Sequence, residues 1–329
     1  MEYRKVTLLD VAKRSGVSLA SVSAVLNGKA GRNIRVSEAT HSRILEAARF
    51  LGYVPNAAAR SLKDGNKSLI AVFTYENMFL PETYNEYYDF FMGVQRQTER
   101  EGLDLLLLNT RKNLAGSSRI TMASGAIMIG VNRDDADIKM LVQRNFPLVF
   151  VGRRSIADVK TFCVTFDYKS VIDDFMLYLS GKNCTGILYV KETGDKNEPS
   201  ADKQKFLADA AAQYGIPMRV LETAGDGSRV DMLLDIYKPG DVIVINRFKL
   251  CDSIGQLIQS RNLQLGTDIR AVVLEDDWQR SNPEWTCWTN QRQELGALAV
   301  QHLSRIVQEQ PDDDLPLLVT LSIRKGKSC

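Results

Sequence analysis

The chain has 329 residues, 44% hydrophobic and 25% charged, with a formal net charge of +2. That length suits two or three domains, and the composition is that of an ordinary soluble globular protein. No apolar run reaches the ~18 residues of a membrane helix, which argues against a membrane partner. The small net charge hides an asymmetry. Residues 1–67 carry 12 Lys and Arg against 5 Asp and Glu, whereas the remainder carries 30 against 35. A basic head on an acidic body predicts one end that meets a polyanion. The five cysteines are Cys163, Cys184, Cys251, Cys287 and Cys329, an odd number without CxxC spacing. That pattern fits a reducing cytoplasm, as does the lack of an apolar signal-peptide core at the start. His41 and His302 are the only histidines, so neither a His-based zinc site nor any other cofactor is expected.

The head reads as three helices. Thr7 followed by Asp10 is a capping-box-like start, with Leu8, Val11 and Ala12 on one helical face. Gly16 permits a tight turn. Ser18 caps a second helix whose apolar stripe is Val22, Val25 and Leu26, ended by Asn27-Gly28. Two helices this short cannot enclose a core. A third, from about Ser37 to Leu51, supplies Ile44, Ala47, Ala48 and Leu51 to cover them. Ser18, Ser21 and Ser23 point outward on the second helix, with Asn27 at its end. Small polar groups beside helix N–H groups suit phosphate oxygens. Leu19, Ala20 and Ala24 share the exposed side. In a helix-turn-helix the start of the second helix faces base edges.

The run from Asp10 to Asn27 (Asp-Val-Ala-x-x-x-Gly-Val-Ser-x-x-Ser-Val-Ser-x-x-Leu-Asn) resembles the LacI/GalR family of bacterial transcription regulators. Gly52-Tyr53-Val54-Pro55-Asn56 and Ala59-Arg60-Ser61-Leu62 resemble that family's end of helix three and its hinge helix. The resemblance implies phosphate contacts from Thr7, Ser18, Ser21, Ser23, Asn27, Ser37, Thr40, Tyr53 and Asn56. It implies major-groove positions at Leu19, Ala20 and Ala24, and minor-groove positions at Ala59 and Leu62, with Leu62 wedging a central base step. The hinge helix, Asn56 to Leu62, is followed by a linker and spans about two turns, which is marginal as an isolated helix. It is expected to fold only on DNA or against its copy in a dimer. Two departures stand out. Ala24 puts a methyl where many relatives place a guanine-reading Arg. The stretch Gly28 to Arg35 is longer than usual and adds Lys29, Arg32 and Arg35, which are expected to reach phosphate or an adjacent groove.

Beyond Ser68, apolar runs alternate with helical patterns. Strands are predicted at 69–74, 105–109, 126–130, 148–151, 163–166, 186–190, 241–245 and 271–274. Helices are predicted at 86–101, 170–179, 201–214 and 250–261. Such alternation reads as parallel sheets covered on both faces, and this many strands predicts two Rossmann-like lobes. No GxGxxG follows a strand, and Gly326-Lys327-Ser328 lacks the upstream glycine of a phosphate loop. The body resembles the family's periplasmic-binding-protein-like core. The fold class expected is therefore an all-α helix-turn-helix head plus an α/β core of two lobes. Expected bounds are 1–55 for the DNA-binding domain, 56–67 for the hinge and linker, and 68–329 for the effector-binding and dimerisation core. Within the core, a first lobe is expected at about 68–163 and 290–325, and a second at about 164–289.

A ligand is expected in the cleft between lobes at the strand ends. Candidates at the lobe mouths are Tyr75, Tyr87, Arg153, Asn246, Asp276, Trp278 and Gln291, a set of rings and polar partners that suits a sugar. Three departures from the family point to an unusual ligand. Asn246-Arg247 stands where relatives carry Asn-Asp, so Arg247 joins the candidates and favours an anionic metabolite. The Arg usual early in the second lobe's first helix has no clear match around Ser200 to Lys205. The helix after Asn109 is short, spanning only Leu114 to Met122. The alternatives are a cleft for an anionic metabolite and a degenerate cleft that answers to no sugar.

The leading reading is a homodimeric regulator, a repressor by resemblance, on a near-palindromic operator, acting in the cytoplasm at the nucleoid. Two other classes compete. No GxSxG, metal spacing or catalytic His constellation supports an enzyme. A transporter's solute-binding protein would need a signal peptide in place of the basic head.

Overall fold

A computed structural model describes residues 6–26, 36–54, 68–75, 84–109, 119–130, 136–154, 161–195, 197–224, 230–276, 284–289, 291–310 and 317–329. The chain forms two compact units, Met1–Ser68 and Leu69–Cys329. The stretches 27–35 and 55–67 are not among the described residues. The expectations for Asn27, Lys29, Arg32, Arg35, Asn56, Ala59 and Leu62 therefore lie outside them, as does that for Trp278.

In the head, α1 spans Leu8–Ser15, α2 Leu19–Leu26 and α3 Glu38–Leu51. The capping box at Thr7 and Asp10 is complete, with the side chain of each serving the backbone of the other. Gly16 ends α1 at φ +67°, a left-handed conformation that a residue with a Cβ resists, and the chain turns there into α2. Val11, Ala12, Val22, Val25, Ile44, Ala47 and Ala48 form the buried core, with Leu8, Leu51 and Tyr53 packed at its margin. Every helix thus contributes its apolar face to one small cluster.

The body holds two six-stranded sheets. The first uses β1 (Leu69–Thr74), β2 (Asp104–Asn109), β3 (Gly125–Met128), β4 (Leu148–Val151), β5 (Phe162–Phe166) and β11 (Leu317–Val319), ordered β11-β5-β4-β3-β1-β2. All its neighbours pair in parallel. Helices α4 (Tyr84–Glu101), α5 (Ala136–Gln143) and α10 (Arg292–Val307) belong to this lobe. Its two apolar clusters lie on opposite faces of the sheet. Val72, Phe90, Ile127 and Leu303 fill one, while Phe73, Met128, Leu141 and Phe150 fill the other. Adjacent strand residues such as Val72 and Phe73 enter different clusters, as the two-residue side-chain period requires.

The second sheet uses β6 (Gly186–Glu192), β7 (Met218–Thr223), β8 (Asp241–Ile245), β9 (Arg270–Asp276), β10 (Thr286–Trp288) and β12 (Ile323–Arg324), ordered β12-β10-β9-β8-β6-β7. Only β12 runs antiparallel to its neighbour. Helices α6 (Tyr168–Ser180) and α7 (Glu198–Gln213) cover one face, and α8 (Met232–Ile236) and α9 (Cys251–Ser260) the other.

The lobe boundaries differ from expectation at two places. Strand β5 stays in the first sheet through Phe166, so the chain crosses at Asp167 rather than near Val164. After α10 and β11 the chain crosses a third time, and β12 and the tail join the second lobe. The tail that the sequence leaves without a role is pinned there. Ser328 is fully buried, its Oγ donating to Ala271 O at 2.6 Å and accepting from Thr286 N at 2.8 Å. The expected short helix at 114–122 appears as a 3₁₀ turn at Ile120–Met122, its earlier part lying outside the described residues.

Candidate DNA-binding face and interlobe cleft

Each helix of the head begins on a hydroxyl. Ser18 Oγ accepts from Ser21 N at 3.2 Å and shares a 2.9 Å hydrogen bond with Ser21 Oγ. Ser37 Oγ accepts from Thr40 N at 3.3 Å and pairs with Thr40 Oγ1 at 2.9 Å. These exposed hydroxyl pairs sit where helix N–H groups and the helix dipole favour an anion. Thr7 differs. Its backbone N–H and its Oγ1 both donate to Asp10 Oδ2, at 2.9 and 2.7 Å. A carboxylate at that helix start opposes a second anion, and Glu38 in the first turn of α3 acts in the same sense near Ser37, whereas α2 has no acidic residue in its first turn.

Leu19 is 48% exposed, and Ala20 beside it is also exposed, on the first turn of α2. Ala24, expected on that same side, is only 7% exposed. It is buried with Val22 and Val25, whereas Ala20, one turn earlier, is not. Ser21, Ser23 and Tyr53 are half-buried.

In the body, a cleft of about 850 Å³ opens between the lobes. Its walls are the carboxyl ends of the parallel strands, the usual place for a ligand on such sheets. Ile129, Val151 and Thr165 come from the first lobe, and Leu274, Glu275, Asp276 and Trp288 from the second. Of the predicted cleft residues, Tyr87, Arg247 and Asp276 line it.

Tyr75, Arg153, Asn246 and Gln291 are not among its lining residues. Tyr75 follows Phe73 by two positions, so it turns to that residue's face and meets its ring edge-on at 4.9 Å. Asn246 is fully buried beneath the cleft, its amide donating to Ser200 Oγ at 2.8 Å and Asp195 Oδ2 at 3.2 Å. Gln291 stands at the start of α10 without a capping bond. Arg153 is half exposed and bonds Asp202, while Arg154 enters the cleft in its place.

The cleft is lined with ion pairs. Arg154 meets Glu198 at 2.8 Å, Arg292 meets Asp276 at 3.0 Å, and Arg247 meets Glu275 at 3.1 Å. Arg153–Asp202 lies one turn along α7 from Arg154–Glu198. The pairs made by Arg153, Arg154 and Arg292 each join one lobe to the other. Burial alone raises the Glu275 carboxyl, but Arg247, Lys203, Arg292 and the Phe248 N–H together hold it below the ordinary range. The reversed charge at Arg247 is thus absorbed by Glu275 and is not an open cation.

Lys203 is the residue that sequence reasoning missed. It lies in the stretch where no basic match was expected, on the first turns of α7. It is 4% exposed, and its Nζ donates to Asn246 O at 2.9 Å and Leu274 O at 3.0 Å. Burial pushes its ammonium down to about 8. An unfolded lysine titrates near ~10.4. Between those values the unfolded chain binds more protons at this group, so folding stability rises with pH. Denaturation midpoints at pH 7.5 and 9.5 check this. Wild type is expected to gain on Lys203→Met as the pH rises, and a constant difference between them would refute the assignment.

Residues 7–56 match the family model described as "Bacterial regulatory proteins, lacI family". The chain is 24% identical to catabolite control protein A of Priestia megaterium over 325 residues, 94% of each chain. It is 28% identical to the sucrose operon repressor of Klebsiella pneumoniae over 67% of this chain and 65% of that one. Among solved structures, it is similar to the lac repressor dimer bound to operator and the anti-inducer ONPF, at TM-score 0.79 and 20% identity over 99% of both chains. It is also similar to the CelR–cellobiose complex, at TM-score 0.67 and 19% identity over 99% of this chain and all of that one.

Proposed function

The chain belongs to the LacI/GalR family of bacterial transcription regulators, DNA-binding proteins rather than enzymes, and on that premise we propose that it is a homodimeric repressor of a near-palindromic operator. Its affinity for that operator is set by a small molecule, a sugar or a related metabolite, in the interlobe cleft. It acts in the cytoplasm, on the nucleoid. The observation that carries this reading is the joining of a hydroxyl-capped, basic three-helix head to a two-lobed body with an 850 Å³ cleft. Thr7, Ser18, Ser21, Ser23, Ser37, Thr40 and Tyr53 hold phosphates, and Leu19 and Ala20 meet the base edges. Asn27, Asn56, Ala59 and Leu62 act in the same interface.

Two sheet edges support the dimer. Leu105 and Leu107 on the edge strand β2 are 38% and 37% exposed, and Val220 on the edge strand β7 is 45% exposed. Exposed apolar edges of this kind are ordinarily covered by a partner. Two-fold protein symmetry then imposes two-fold symmetry on the operator. The lac repressor structure is a dimer on operator DNA and the CelR structure holds cellobiose, which supports the same two kinds of partner here.

Removing residues 1–67 tests the division of labour. The body is expected to keep its own melting transition and lose all DNA affinity; retained binding would contradict the proposal. The basic stretch before α3 gives a second, graded test. Replacing Arg32 and Arg35 together with Ala is expected to weaken operator binding and to reduce the salt slope by about 2, one for each guanidinium taken away from a phosphate. An unchanged slope would remove these residues from the interface.

A further inference from the structure

Resting on the effector reading of the cleft, we propose that its ligand carries an anionic group, a phosphate or a carboxylate, received by the Lys203 ammonium. The charge layout of the cleft carries the argument. Among the described lining residues the cations are Arg154, Lys203, Arg247 and Arg292, and the anions are Glu198, Glu275 and Asp276. Each Arg is already paired with one carboxylate. Lys203 is the remaining cation, and two of its three donors go to backbone carbonyls. The third has no acceptor among the described residues. Glu275 is near, but it already accepts from Arg247 Nε at 3.1 Å and Phe248 N at 2.6 Å.

A buried cation held by two carbonyl dipoles and the Trp288 ring, with its nearest carboxylate shared with Arg247, is costly, and an anion at the same wall relieves that cost. The start of α7 adds to the pull. Asn197, Pro199 and Ser200 line the cleft there, so the positive end of a 16-residue helix faces it. Glu198 in that first turn is offset by Arg154. A neutral sugar would draw on bidentate Arg and carboxylate groups, which here are engaged with one another.

The rest of the ligand is also constrained. Trp288 and Tyr168 lie with centroids 5.7 Å apart and planes tilted by 30°, a flat wall on one side of the cleft. Lys203 Nζ stands 5.9 Å from the Trp288 ring centre. A ring resting on that wall would place a substituent one or two bonds outside it against the ammonium. A phosphorylated sugar or a sugar acid fits this layout.

Thermal unfolding and calorimetric titration of the full chain test the proposal, at constant ionic strength, with glucose, glucose 6-phosphate, gluconate and inorganic phosphate. Inorganic phosphate and one anionic sugar are expected to stabilise wild type more than glucose does, and the two sugars separate a phosphate ligand from a carboxylate one. Lys203→Met, apolar and of similar length, is expected to fold and to bind the anion about 10- to 100-fold more weakly. Lys203→Arg is expected to retain part of the affinity. Binding is also expected to take up protons between pH 8 and 9, read from the dependence of heat on buffer. No stabilisation by any anion, or equal affinity in Lys203→Met, would overturn the anion assignment. Glucose binding that ignores Lys203→Met would overturn it while leaving the cleft as an effector site. The effector reading has its own readout, the change in DNA affinity caused by whichever compound binds.

Discussion

Replacing Val22 with Asp is expected to abolish DNA binding while the body remains folded. Val22 is fully buried at the centre of the head, where α2 meets α1 and α3. The buried core there consists of seven small aliphatic residues. A domain of that size rarely holds more than about 3–5 kcal/mol of stability. An uncompensated buried carboxylate costs a similar amount, about 3–5 kcal/mol. The head therefore unfolds, and specific affinity is expected to fall by at least about 1,000-fold, the usual gap between specific and non-specific binding. Head resonances in an NMR spectrum and a gel-shift titration read the two effects. Leu19→Ala is the matched contrast. It removes an exposed side chain, so it is expected to alter base preference while leaving the head folded. Intact DNA binding in Val22→Asp would mean that another surface makes the contact.

The second large effect is expected in the body. Helices α4 and α10 cross with their backbones in contact, and glycines permit it. A Cβ added at Gly296 would stand 2.2 Å from Phe90 O, and one at Gly93 would stand 1.9 Å from Gln293 O. Neither obstacle is a side chain that could rotate away, so the helices must separate. Overpacking of this kind costs about 3 kcal/mol or more. Gly296→Val is expected to lower the melting temperature of the body by about 6 °C or more, given roughly 2 °C per kcal/mol at this size. Arg292 sits at the start of the displaced helix and pairs with Asp276 across the cleft. Ligand affinity is therefore expected to fall with stability. A melting temperature unchanged by Gly296→Val would show that the two helices are not packed so closely.

The head is readable because its punctuation is local. Thr7 with Asp10, Gly16, Ser18, Ser37 and Gly52 each act within a few residues, and the structure places a cap or turn at every one. The longer strands of both lobes, such as β1, β4, β6, β8 and β9, are readable because buried parallel strands are nearly continuous apolar runs. The strands that escape a reading of the sequence lack that signal. Strand β7 is an edge whose apolar residues are interrupted by Arg219 and Glu222, and β10, β11 and β12 are three residues long or fewer.

The cleft is legible by place but not by residue. Arg153 and Arg154 are neighbours at one strand end, and only the direction of each side chain decides which enters. The same holds for Tyr75, turned away by the strand period, and for Tyr87, which lines the cleft. Lys203 sits in the sequence Ala-Asp-Lys-Gln-Lys, which reads as a solvated helix face. Its ammonium is taken up by the strand ends of its own lobe, at Asn246 O and Leu274 O, 43 and 71 positions away. Glu198 and Asp202, spaced four apart on that helix, carry a signal for the ion pairs with Arg153 and Arg154, but not for Lys203. Acidic residues one turn apart are a matching face for the adjacent pair of arginines.

The central claim is that the head reads a two-fold symmetric DNA site. The most direct measurement is selection of bound duplexes from a random pool, using the full chain and the chain lacking residues 1–67 in parallel. The full chain is expected to enrich one sequence with two-fold symmetry, and the truncated chain to enrich none. No enrichment by the full chain, or the same enrichment by both, would contradict the claim.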